Sequence, residues 1–270
     1  MAIDIGKVIG TSFRYAFSIN RILPYFVINL FILAGIVILF TSAVGMVQTM
    51  QMGNQGLVYI GRFLSAFILF VISIVIISLA KLLVDASIAD NSRKFWAGKD
   101  RFLSSSYSLA KKKYLSTLGA VIITGIITFL LSLIPFVGWL VSMIVGIMLL
   151  FVIQAVVIGN KNATVALSES YGVFRKNTIN TIIFWILAFF IVIGFLIMAL
   201  IPVGIAALPV IMQLVGTNGD MMSAIPLIQQ NMTGIVAGGI IGCVIFAYAL
   251  AVYQSALTFF YISARSSRRK

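Results

Sequence analysis

The sequence predicts an all-α, polytopic membrane protein with six transmembrane helices. Three observations carry this. The hydrophobic share is 61% and the mean hydropathy +1.15, whereas about half of a soluble domain is apolar. Several apolar runs, 63–80 and 181–201 among them, exceed the roughly 18 residues that mark a spanning helix. These runs do not alternate polar and apolar, as the strands of a membrane barrel must.

The first element is a surface helix over residues 4–21. Asp4, Lys7, Thr11, Arg14, Ser18 and Arg21 step by three and four along one stripe, with Ile5, Ile9, Phe13 and Ala16 roughly opposite. An amphipathic helix with a basic polar face lies in the headgroup plane. The first span, 25–46, is longer than the 7–15-residue core of a cleaved signal and is expected to be retained. The second span covers 58–81. A second surface helix is expected over 100–114, where Leu103, Tyr107, Ala110 and Tyr114 share one face and Lys111, Lys112 and Lys113 follow one another. Spans three and four cover 116–135 and 139–159, joined by the turn "PFVGW". A third surface helix over 164–177 repeats the spacing with Leu167, Tyr171, Phe174, Arg175 and Lys176. Span five covers 180–201. Residues 203–215 are apolar but too short to cross and carry Pro209, which predicts an interfacial or re-entrant piece. Span six covers 235–262.

"SF" at 12–13 and "SY" at 106–107 and 170–171 mark the same place in each surface helix. The chain therefore reads as a single membrane domain, 1–270, made of three repeats: 1–97, 98–160 and 161–270. Each is one interfacial amphipathic helix followed by a transmembrane hairpin. The stretches "DIGKVIGTSFRYAFSINRILP" (4–24) and "ALSESYGVFRKN" (166–177) resemble a loose family: the membrane domain attached to some glycerophosphodiester phosphodiesterases, and its uncharacterised six-helix stand-alone relatives in bacteria and archaea. The phosphodiesterase barrel of that family, with its acidic and histidine residues, has no counterpart here. The resemblance implies a membrane module and no phosphodiesterase activity.

Charge sets the expected orientation. The net charge is +13, and every basic residue except Arg62 falls on one side of the six spans. Short Lys- and Arg-rich loops stay in the cytoplasm, so both termini are expected there, in a plasma membrane. Asn54 and Asp220 are then expected outside and Ser105 inside. Positive charge spread along one membrane face calls for anionic lipid headgroups rather than nucleic acid. The contacts expected are Lys7, Arg14, Arg21, Lys111, Lys112, Lys113, Arg175 and Lys176.

Residues for chemistry are scarce. There is no histidine, which removes the commonest general base and metal ligand, and Cys243 is the single cysteine. The acids are Asp4, Asp85, Asp90, Asp100, Glu169 and Asp220. Asp85 and Asp90, five apart, do not share a helix face, and pairing of Asp90 with Arg93 accounts for them better than an acid–base pair does. The methionines near the loops opposite the basic side, Met212 and Met232 among them, lack Cys or His partners for copper and suit a flexible apolar surface. No nucleotide or zinc motif occurs. No enzyme, cofactor or metal is predicted.

Two sets of residues remain as candidates. Lys81, Gln154 and Gln254 fall at comparable depth in spans two, four and six, and are expected to converge as an intramembrane polar cluster; for Lys81 the competing reading is a side chain that snorkels to the interface. Gly138, Ser142 and Gly146, and Gly234, Gly238 and Gly242, form small-xxx-small faces for helix packing, within the monomer or in a homo-oligomer. The function expected is a non-enzymatic membrane module that organises lipid or scaffolds a protein partner. The alternative is a small permease for a hydrophobic or amphipathic substrate, since many transporters are built from repeats.

Overall fold

The computed structural model describes residues 3–50, 56–99, 102–217 and 221–266. Among them the secondary structure is helical: α1 (Ile5–Ala16), α2 (Ile19–Met50), α3 (Gly56–Trp96), α4 (Ser104–Ser132), α5 (Gly138–Met148), α6 (Val152–Val157), α7 (Ala163–Lys176), α8 (Thr178–Gly216) and α9 (Met221–Ser266). Six segments are long and apolar enough to cross a membrane: 19–46, 60–96, 104–132, 138–157, 178–216 and 225–266. The protein is a multi-pass helical membrane protein. Asn54, Asp100, Arg101, Asp220, Arg268, Arg269 and Lys270 lie outside the described residues.

Three expectations about the elements change. The second surface helix is not separate: α4 runs from Ser104 through Lys113 and on to Ser132 without a break. Nothing in "AKKKYLSTLGA" (110–120) stops a helix, since Lys, Leu and Ala are strong helix formers. By contrast, α1 stops at Phe17, whose N–H donates back to Phe13, and α7 stops at Asn177, whose side chain donates to the Val173 carbonyl at 3.1 Å. The expected piece at 203–215 is likewise continuous with span five, and α8 carries Pro202 and Pro209 inside it. The second span, expected to end at residue 81, is prolonged by residues 82–96 as one helix to Trp96. Gly98, at φ +72°, ends that helix: the Lys99 N–H reaches the Lys94 carbonyl at 2.9 Å in a Schellman closure.

The fourth span is broken rather than smooth. α5 ends at Met148 and α6 starts at Val152. The groups freed by the break are met by Ser170 of α7. Its hydroxyl accepts from the Phe151 N–H at 3.1 Å and donates to the Met148 carbonyl at 3.0 Å. A side chain inserted at a break is a recognised cause of helix distortion. The α4–α5 connection is wholly apolar. Phe136 is 98% exposed there, with Leu133 and Trp139 also exposed, and no charged residue lies between Lys113 and Lys161.

The chain divides into two compact units. One comprises residues 1–25, 79–192 and 248–270. Its packing rests on small residues: Ala86, Ala89, Ala110 and Val157 bring α3, α4 and α6 together. Aromatic residues fill the rest, with Tyr15, Phe95 and Phe259 in mutual ring contact, Trp96 against Phe259 and Phe151 stacked on Phe260 at 5.2 Å. The other unit comprises 26–78 and 193–247, where α8 and α9 pack through glycine.

Candidate functional site

The site is built on the polar end of α3. From Lys81 to Lys94 the helix keeps its charges at the spacing that lets a helix pair them internally. Lys81 Nζ lies 2.7 Å from Asp85 Oδ2. Arg93 and Lys94 reach Asp90 at 2.8 and 2.6 Å. Lys81 is thus held by an ion pair one turn away, where snorkelling was the competing expectation. Asp90 is fully buried and Asp85 nearly so.

Other elements complete the layer. The Tyr25 hydroxyl of α2 donates to Asp85 Oδ1 at 2.6 Å. The Gln254 amide of α9 donates to the Asp85 carbonyl at 3.1 Å. The Tyr15 hydroxyl of α1 donates to Asn91 Oδ1 at 2.8 Å, and Lys94 donates to the Ser106 hydroxyl of α4 at 3.0 Å. Charges taken from water recover little beyond their desolvation cost even when paired, but a lone buried charge is strongly unfavourable. The layer therefore fixes which helices meet at this height more than it adds net stability.

Of the three residues expected to converge, two do so. Lys81 and Gln254 meet on Asp85, one at its carboxylate and one at its carbonyl. Gln154 is fully buried on α6, and neither its amide nitrogen nor its amide oxygen has a hydrogen-bond partner. An unsatisfied buried polar group costs about 1–3 kcal/mol, so Gln154→Leu should raise the melting temperature of the detergent-solubilised protein. A fall on substitution would mean that the amide is held by a partner such as an enclosed water.

A second node sits on α7. Glu169 accepts a short hydrogen bond from the Tyr261 hydroxyl of α9, with Arg265 at 3.8 Å and Lys161 at 4.0 Å. Glu169 fastens α7 to α9, and Ser170 beside it fastens α7 to the α5–α6 break.

The outward surface is basic. Lys7, Arg14, Lys111, Lys112, Arg175 and Lys176 are exposed and Lys113 is half-buried. Arg21 departs from the expected lipid contact. It is only 7% exposed, donates to the Tyr15 carbonyl at 2.6 Å and lies over the Tyr15 and Phe95 rings at 4.1 and 5.0 Å. Its place in the polar stripe of residues 4–21 assumed one unbroken helix. The bend at Phe17–Ser18 turns it inward. An open groove of about 450 Å³ runs between the start of α2 (Asn20, Leu23, Pro24) and the approach to α4 (Phe102 to Ser104, Tyr107). A small gap of about 10 Å³ between α1, α8 and α9 is lined by aliphatic and aromatic residues, Tyr253 among them.

The glycine faces do different things. A Cβ at Gly238 would meet the Pro202 carbonyl at 2.7 Å, and one at Gly242 the Ala199 carbonyl at 2.5 Å, while Gly234 faces Ala206. The α9 stripe is therefore spent on α8 of the same chain. Gly138 sits tightly against the Leu131 and Ser132 carbonyls within its own hairpin. Gly146 has open space around it, and Ser142 beside it is half-buried.

Sequence reasoning passed over Tyr15, Tyr25, Asn91 and the role of Glu169. The spacing of Lys81 with Asp85 and of Asp90 with Lys94 was a readable signal. Nothing local announces that Tyr25 lies against a carboxylate 60 residues away. Compared with family models, curated proteins and solved structures, the chain matches none.

Proposed function

We propose that the chain is a non-enzymatic membrane module that gathers anionic lipid on the cytoplasmic face of the plasma membrane. The observation that carries the reading is how its charges are divided. Asp85, Asp90 and Glu169 are turned inward and matched by cations. Lys7, Arg14, Lys111, Lys112, Arg175 and Lys176 stand outward, beside exposed Phe17, Ile19, Phe102 and Leu115. Bases next to apolar anchors are the composition of an interfacial surface. The groove by Asn20, Ser104 and Tyr107 adds a mixed polar and apolar cleft of the kind a lipid fills. The same inward pairing leaves these carboxylates poorly placed as general bases.

Three repeats remain the best account of the layout. Ser12, Ser106 and Ser170, the matched serines, are all fully buried. α1 docks on α9 through the Tyr248 hydroxyl and the Phe13 carbonyl at 3.2 Å. α7 docks on the fourth span through Ser170 and Met148. Tyr248 and Met148 each stand six residues before the matched glutamines, Gln254 and Gln154. Each of these two surface helices thus rests on the second span of another repeat at the same height.

The test replaces Lys111, Lys112 and Lys113 by Gln. Each base near an anionic surface contributes about 1 kcal/mol, so thermal stabilisation by added anionic phospholipid should fall markedly. The lipid-free melting temperature should stay put, since surface changes rarely exceed about 0.5 kcal/mol. Equal stabilisation of both proteins would remove lipid and make a cytoplasmic protein the better partner for this charge. The permease reading has one observation in its favour, the unpartnered Gln154 amide within the bundle. Flux of an amphipathic dye into proteoliposomes, lost in Gln154→Leu, would put that reading first.

A further inference from the structure

The groove between the start of α2 and the approach to α4 is half polar, and its polar side chains are unspent. It has a volume of about 450 Å³ and belongs wholly to the unit of residues 1–25, 79–192 and 248–270. Asn20, Ser104 and Tyr107 line it, and none of their side chains has a hydrogen-bond partner among the described residues. Beside them Leu23 is 51% and Phe102 77% exposed. No carboxylate lines the groove among the described residues. Ser104, Tyr107 and Lys111 step by three and four, so they share one face of α4. Tyr114, a turn further along that face, donates to the Leu79 carbonyl of α3 at 3.2 Å. Lys111 stands between Tyr107 and Tyr114, exposed at the edge of the groove.

We infer that this groove seats one anionic phospholipid, its phosphate on Asn20, Ser104, Tyr107 and Lys111 and its upper acyl carbons on Leu23 and Phe102. Size and chemistry select this occupant. A helix about 10–12 Å across would place only about one turn in such a volume, too little for a docked segment, whereas sites for small molecules run to about 300–1,000 Å³. Three uncharged donors beside an ammonium group match the oxygens of a phosphate. A soluble phosphate would leave Leu23 and Phe102 bare; a lipid covers both. The inference rests on the lipid reading above and goes past it. A diffuse basic surface attracts many lipids by charge alone, but this site holds one of them through groups that carry no charge.

The experiment titrates the full chain in detergent with phosphatidylglycerol, phosphatidylcholine or glycerol phosphate and counts bound molecules by native mass spectrometry. The first phosphatidylglycerol should bind about tenfold tighter than the second, and than the first phosphatidylcholine. Asn20→Leu, Ser104→Ala and Tyr107→Phe together change no charge. They should weaken the first phosphatidylglycerol about tenfold, because hydrogen bonds to a charged group are the strong ones, and leave later ones unaltered. Ser104→Trp, which fills the groove from an exposed position, should do the same. Equal affinity for the first and second phosphatidylglycerol, or a first one held as tightly by both variants, would overturn the site while leaving the lipid reading standing. No binding of phosphatidylglycerol to the unaltered chain would overturn both. Phosphatidylcholine held equally well would overturn the anionic choice, and glycerol phosphate held equally well the lipid itself. If the triple variant loses its helical circular dichroism, Ser104→Trp decides alone.

Discussion

Asp85→Ala should lower stability by about 2–3 kcal/mol, read as a drop of several degrees in the melting temperature in detergent. Removing one partner of a buried ion pair costs about 3–5 kcal/mol. The lower figure applies because Lys81, 39% exposed in its side chain, can turn to water once the carboxylate is gone. Tyr25 cannot. It is fully buried, and its hydroxyl loses the acceptor at 2.6 Å. Asp85→Asn keeps an oxygen for Tyr25 and should recover part of the loss. If Asp85→Ala melts with the unaltered protein, the layer is not what holds α2, α3 and α9 at this height.

The second large effect has opposite signs at two glycines. In a helix interior, Gly→Ala usually gains about 1 kcal/mol from propensity. Gly146→Ala should show that gain, since nothing lies within 4 Å of the added methyl. Gly238→Ala and Gly242→Ala should instead destabilise by about 1–3 kcal/mol each, the range for overpacking. Their methyls would strike the Pro202 and Ala199 carbonyls, at 2.7 and 2.5 Å. A backbone carbonyl cannot turn aside as the tip of a side chain can, so α8 and α9 must move apart. Equal responses at positions 146, 238 and 242 would deny the close approach of these two helices.

The number and order of the spans were legible because hydropathy integrates over twenty residues and tolerates local error. Their ends were not. α3 was expected to stop near Lys81 because charge follows. Yet Lys81 with Asp85, and Asp90 with Arg93 and Lys94, neutralise one another along the same helix, so charge there continues the helix rather than ending it. Pro209 was read as a stop. In α8 it is tolerated within a helix that carries a second proline, Pro202, about two turns earlier. At the site, Lys81 and Gln254 were found by depth alone, and depth could not say that both would choose Asp85. Tyr25 was beyond reach, since its contact depends on how α2 and α3 pack. Arg21 was misplaced by extending one helical period across a corner that only Phe17 and Ser18 disclose.

The uncharged α4–α5 hairpin bears on how the chain is made. Between Lys113 and Lys161 nothing carries charge, and the connection is as apolar as the spans it joins. On an insertion scale where a central charged residue costs about 2.5–3.5 kcal/mol, this segment meets no such penalty over its whole length. It can enter the bilayer as one piece as it leaves the ribosome. α7, which follows it in the chain and packs on α4, α5 and α6, then folds onto a hairpin already in place.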